Sequence, residues 1–123
     1  MMNHKEVEEY VLSMPGTKLE YPFGEGVAVY KVYPSASSGR IGPGANGRGK
    51  MFALIAEGKN PVNISLKCDP ELSKTLRKKY TEVQEGYHLN KKHWNTIVLS
   101  GELSWDEVNV LIRHSYDLVA SNQ

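Results

Sequence analysis

Val62-Asn63-Ile64-Ser65-Leu66-Lys67, followed at once by Cys68-Asp69-Pro70-Glu71, is the stretch that decides the fold. Val62, Ile64 and Leu66 alternate strictly with Asn63, Ser65 and Lys67, so a strand here turns one face to a core and the other to water. Sheets exposed on one side in this way are usually antiparallel, and the short turn Gly58-Lys59-Asn60-Pro61 just upstream fits a hairpin. Downstream, Asp69 is placed as an N-cap and Pro70 as the first helical residue. Leu72, Leu76 and Tyr80 share one side of that helix, and Lys74, Arg77 and Lys78 the other.

Working outward, Met51 to Glu57 and Val27 to Tyr33 read as two earlier strands, and Glu82 to Tyr87 and Asn95 to Leu99 as two later ones. The later pair is joined by the turn-rich His88 to Lys92. An N-terminal helix shows Val7, Tyr10, Val11 and Met14 at i, i+3, i+4 and i+7. Asn3 and Glu6 form its capping box and Pro15-Gly16 ends it. Ser104-Trp105-Asp106-Glu107 is a second capping box, with Leu103 and Val108 as staple, opening a last helix that buries Val108, Leu111, Ile112, Ser115 and Val119. The expected order is α-β-β-β-α-β-β-α, an α+β class. Residues 34–49 are Ser, Ala, Gly, Pro and Asn almost throughout, with Arg40 and Arg48 and no acid, and are expected to form a mobile loop. Lengthening such a loop costs only about 0.6 kcal/mol per doubling.

The chain has 123 residues, 40% of them hydrophobic and 24% charged, which fits one globular domain rather than a disordered chain. Fifteen basic residues against fourteen acidic ones leave a formal charge of +1, so nucleic-acid binding would need a local patch, and a nonspecific coat protein is excluded. The single cysteine, Cys68, allows neither an internal disulfide nor a CxxC site, which suggests a reducing compartment. No signal-peptide core and no run of eighteen apolar residues is present, so the expectation is a cytoplasmic protein without membrane contact.

Met14-Pro15-Gly16, Tyr21-Pro22-Phe23-Gly24, Val29 to Val32, Gly49 to Ala53, Leu66 to Pro70, Gly86 to Ile97 and Ser115-Tyr116 follow in order the run of MmcQ/YjbR proteins, and the chain resembles that family over nearly its whole length. It departs from the pattern where 34–48 intervenes before Gly49-Lys50-Met51-Phe52. The resemblance implies a bacterial cytoplasmic protein with a two-layer fold, helices packed on one face of an antiparallel sheet, of the kind likened to secretion chaperones and to frataxin. It also implies DNA binding through a double-wing motif, an implication that rests on structural analogy.

For nucleic acid, Lys91-Lys92-His93-Trp94-Asn95 reads as a phosphate-seeking turn beside a stacking aromatic. The competing reading has Trp94 starting a strand in the core above a solvated lysine turn. Lys67, Lys74, Arg77 and Lys78, with Lys79 nearby, extend the same positive surface or form an ordinary amphipathic exterior. Arg40, Arg48 and Lys50 would make a basic wing, or belong to a solubilising insertion with neither Walker nor dinucleotide glycine spacing. His88 and His93 lack a metal-ligand spacing, and the first-helix acids Glu6, Glu8 and Glu9 make a poor hard-cation site beside frataxin's. Ser115 has no activating partner, and Cys68 reads as a small buried hydrophobe. With no catalytic, metal or phosphate-loop signature, neither an enzyme nor a cofactor is expected. The two functional expectations are DNA binding by the basic residues, and a chaperone-like module holding a protein or peptide on an exposed sheet face or edge; a monomer is expected in either case.

Overall fold

Asn3 accepts the Glu6 amide at 2.8 Å while Glu6 accepts the Asn3 amide at 3.1 Å, closing the expected capping box. In the computed structural model, which describes residues 3–33, 49–86 and 89–120, this box opens α1 (His4–Leu12). There follow β1 (Thr17–Glu20), β2 (Val27–Val32), β3 (Lys50–Ala56), β4 (Asn63–Lys67), α2 (Pro70–Lys79), β5 (Val83–Glu85), β6 (Trp94–Val98) and α3 (Trp105–Ala120). The expected succession holds, with β1 added as an edge strand. Four residues of which two are charged carry too little apolar period to announce a strand, and β1 forms because β2 offers it a ladder from Thr17↔Val32 to Glu20↔Val29. The expected loop lies, save Gly49, outside the described residues.

The six strands form one antiparallel sheet in the order β1-β2-β3-β4-β6-β5. The main core lies between one face of this sheet and the helices. Ala28, Tyr30, Val32, Ala53, Ile55, Ile64, Leu66 and Ile97 meet Val7 and Val11 of α1 and Val108, Leu111, Ile112 and Val119 of α3. The five α3 positions expected to be buried are buried, and Asp69 caps α2 by accepting the Glu71 and Leu72 amides.

The β2–β3 register shifts between Tyr30 and Lys31, and the β3–β4 ladder stops at Ala53↔Leu66. Ser115 of α3, wholly buried, completes the pairing there: its hydroxyl donates to the Phe52 carbonyl at 2.5 Å and accepts the Lys67 amide at 2.9 Å. A helix side chain thus serves two strand groups that the bulge leaves without each other.

Two carboxylates tie elements together and predict the acid limb of stability. The Tyr33 hydroxyl, and then Lys31 at 3.3 Å, hold the Glu20 carboxyl below its usual value near 4.5. The Tyr80 hydroxyl at 2.6 Å, with the Ser104 amide, does the same for Glu107, which also completes the α3 capping box. A carboxyl depressed on folding stabilises the fold above its unfolded value and loses that contribution as pH falls through its folded value. The urea midpoint is therefore expected to drop below about pH 4.5. Glu20→Gln and Glu107→Gln should each flatten that drop, whereas unchanged acid slopes in both would mean that other carboxyls set it.

Candidate functional site

Period two carries Val29, Leu54, Ser65, Thr96 and Gln84 to the sheet face away from the helices, where they stand opposite one another in a row across β2, β3, β4, β6 and β5. A neighbouring row pairs Val27 with Ala56 and Asn63 with Val98. These rows floor a groove of about 770 Å³ rimmed by Phe23 of the β1–β2 loop, Lys59 of the β3–β4 turn and Leu89 of the β5–β6 connection. Phe23 is 64% exposed, so its ring stands in solvent on the groove's rim. Gly58, at φ 73, makes the left-handed turn that precedes Lys59. The floor grades from apolar at β2 and β3 to polar at β4 and β6, where the Ser65 and Thr96 hydroxyls bond at 2.8 Å.

Beside the groove, Val29, Leu54 and Trp94 form a small second core with Val27, Met51 and Leu89 against it. Trp94 is the first residue of β6 and is only 8% exposed, so it packs rather than stacks outward. Gly86 permits its seat, since a Cβ there would lie 2.8 Å from the Trp94 Cβ.

The expected basic residues do not assemble as one free surface. Arg77 turns inward: its Nε donates to Asn95 Oδ1 at 2.7 Å and its Nη2 to the carbonyls of Lys91 at 2.5 Å and Trp94 at 3.0 Å. Asn95, 2% exposed, donates in turn to Ser73 Oγ at 3.2 Å. Arg77 and Asn95 thereby lock α2 to the turn before β6. Lys74 lies 3.6 Å from Glu71, and Glu85 takes both Arg77 and Lys91 at 3.8 Å. Lys67 is half-buried on the open face opposite Trp94, while Lys78 and Lys92 are exposed. His93 is half-buried, and Lys50 is exposed at the start of β3. Arg40, Arg48 and His88 lie outside the described residues.

Burial raises the Cys68 thiol, as suits an inert hydrophobe, with the Ser73 hydrogen bond only partly opposing it. Tyr30 is raised further by burial and by its 2.5 Å bond to Glu8, so its phenol stays protonated as a donor. Among the described residues no three His, Cys, Asp or Glu side chains gather as a metal site, and no helix is long and apolar enough to cross a membrane.

The groove residues Phe23, Val27, Leu54, Ala56, Lys59, Thr96 and Val98 are those the sequence reading did not single out. Their signal lies in β2 and β3: Val27 to Tyr30 and Met51 to Ala56 are apolar at odd and even positions alike. A strand bound for one-sided burial has no need of that pattern.

Comparison with known proteins agrees with this fold. The chain is 31% identical to YbdF of Escherichia coli O157:H7 over 116 residues, 94% of this chain and 83% of that protein. It is 39% identical to YjbR of Escherichia coli (strain K12) over 66 residues, a match taking in 54% of this chain and 56% of that protein. A crystal structure of a Deinococcus radiodurans protein of domain family DUF419 superimposes with a TM-score of 0.85 at 30% identity, over 99% of this chain and 81% of that one. A crystal structure from Pseudomonas syringae gives 0.72 at 31% identity, over 96% and 99%. With the YjbR family model matching residues 12–118, through every strand, α2 and all but the last two residues of α3, the chain belongs to the YjbR family.

Proposed function

We propose that the protein is a non-catalytic, chaperone-like binding module that receives a protein or peptide segment on the helix-free face of its sheet. The observation that carries this reading is the groove of about 770 Å³ with the exposed Phe23 on its rim. Its volume lies within the range of about 300–1,000 Å³ usual for ligand sites. Covering Phe23, Val27 and Val98 would remove apolar surface from water, and the neighbouring hydroxyls and amides supply polar contacts. The test is an NMR titration with peptides selected by display against the immobilised protein. Amide shifts at Val27, Leu54, Thr96 and Val98, with affinity about fivefold weaker or more in Phe23→Ser, are the expected outcome. Shifts confined to the helices, or equal affinity in Phe23→Ser, would count against it.

A second reading, DNA binding, draws on Lys67, Lys78 and Lys92, which make no ion pair among the described residues. Three phosphate contacts would give log K a slope near −2.7 against log salt on duplex. No binding at low salt to duplex or single strand would remove it.

A further inference from the structure

We infer that Glu57 is the positioning residue of the groove: it grips both feet of the loop that carries Phe23 and so fixes how that ring stands over the floor. This rests on the binding reading above and adds what controls it. The loop opens with the turn Tyr21-Pro22-Phe23-Gly24, closed by the Gly24 amide donating to the Tyr21 carbonyl at 3.2 Å. Its residues are exposed from Tyr21 through to Gly26, and a Cβ at Gly24 or Gly26 would meet no described atom within 4 Å, so hydrogen bonds hold the loop where packing does not. At one foot the Tyr21 hydroxyl donates to Glu57 Oε2 at 3.0 Å. At the other the Glu57 amide donates to the Gly26 carbonyl at 2.9 Å.

The grip is anchored in the core on the far side of the sheet. Glu57 follows directly on β3, its second carboxylate oxygen lies 3.8 Å from His4 Nδ1, and His4 Nε2 lies 3.7 Å from Glu8. Glu8 in turn accepts from the Tyr30 hydroxyl at 2.5 Å, and Tyr30 is wholly buried. Contacts thus run unbroken from the rim through the first turn of α1 to the interior, which is what a site on a loop needs to keep its shape. The bond to Glu57 also holds the Tyr21 phenol above its usual value, so it stays a donor. Phe23 is two residues from that phenol. Releasing Tyr21 frees the turn to tilt the ring off the floor and adds an ordering cost to every binding event.

The chain has two phenylalanines, Phe23 and the buried Phe52, so fluorophenylalanine labelling gives one fluorine NMR line for the rim and one for the core. In Glu57→Ala the Phe23 line is expected to move toward that of the free amino acid, while the Phe52 line stays and confirms the fold. Display-selected peptides should bind Glu57→Ala and Tyr21→Phe about two- to tenfold more weakly, the cost of ordering one loosened side chain. Glu57→Gln, whose amide oxygen still accepts from Tyr21, should stay within about twofold of the parent protein. An unmoved Phe23 line in Glu57→Ala, parental affinity in both weakened variants, or a Glu57→Gln as weak as Glu57→Ala would each overturn the positioning role. The peptide-binding reading then still stands, provided Phe23→Ser lowers affinity. If no peptide binds the parent protein, that reading falls and takes this one with it.

Discussion

Ser115→Ala is expected to lower the stability of the protein by about 3 kcal/mol, measured as a shift in urea midpoint with an unchanged slope. The substitution removes one hydroxyl and with it two bonds: the 2.5 Å donation to the Phe52 carbonyl and the acceptance of the Lys67 amide at 2.9 Å. Both strand groups sit at the end of the β3–β4 ladder, and Ser115 is fully buried, so no water replaces the hydroxyl without rearrangement. The loss is thus two hydrogen bonds plus the desolvation of an amide and a carbonyl left alone, against a total stability of about 5–15 kcal/mol for a domain of this kind. Hydrogen exchange makes the claim specific, since the Lys67 amide should lose protection before its β4 neighbours. A midpoint shift worth under about 1 kcal/mol, with Lys67 still protected, would show that the bulge is held by other contacts.

The second large effect concerns Arg77. Arg77→Ala should cost about 2–4 kcal/mol, because it strips donors from Asn95 Oδ1 and from the Lys91 and Trp94 carbonyls at once. Arg77→Lys should recover only a small part, since an ammonium cannot reproduce a planar fork aimed at three acceptors. A double-mutant cycle with Asn95→Ala should show coupling above about 0.5 kcal/mol, because the two side chains belong to one buried network running on to Ser73. Additive effects would break that account. Loss of nucleic-acid affinity in an Arg77 variant would in turn report the displaced β6 turn before it reported a missing phosphate contact.

What could be read from the sequence divides along the same lines. Elements announced by a strict period or a cap came out as expected: Val62 to Lys67, the Asn3–Glu6 and Ser104–Glu107 boxes, and the five buried residues of α3. Thr17–Glu20 did not, because its strand state is lent by β2. For the candidate site the difficulty was of another kind. A basic residue looks the same in sequence whether its charge faces solvent or, like that of Arg77, is spent on carbonyls inside the molecule, and only the packing of α2 against the β6 turn separates the two. The groove was hidden because it joins residues from five strands and three connections between strands, each unremarkable in its own segment, whose common face is set by register.

The place of β6 between β4 and β5 governs how the chain must assemble. β1 through β4 follow one another across the sheet, so each pairs with a strand just completed, but β4 finds its second neighbour only after α2 and β5 have been passed and the chain has doubled back. That pairing joins residues as far apart as Asn63 and Val98, so of the sheet's ladders it closes the longest loop and carries the largest closure entropy. During synthesis, any chain halted before Trp94 carries β4 with one edge unpaired, a template for aggregation until the last hairpin covers it.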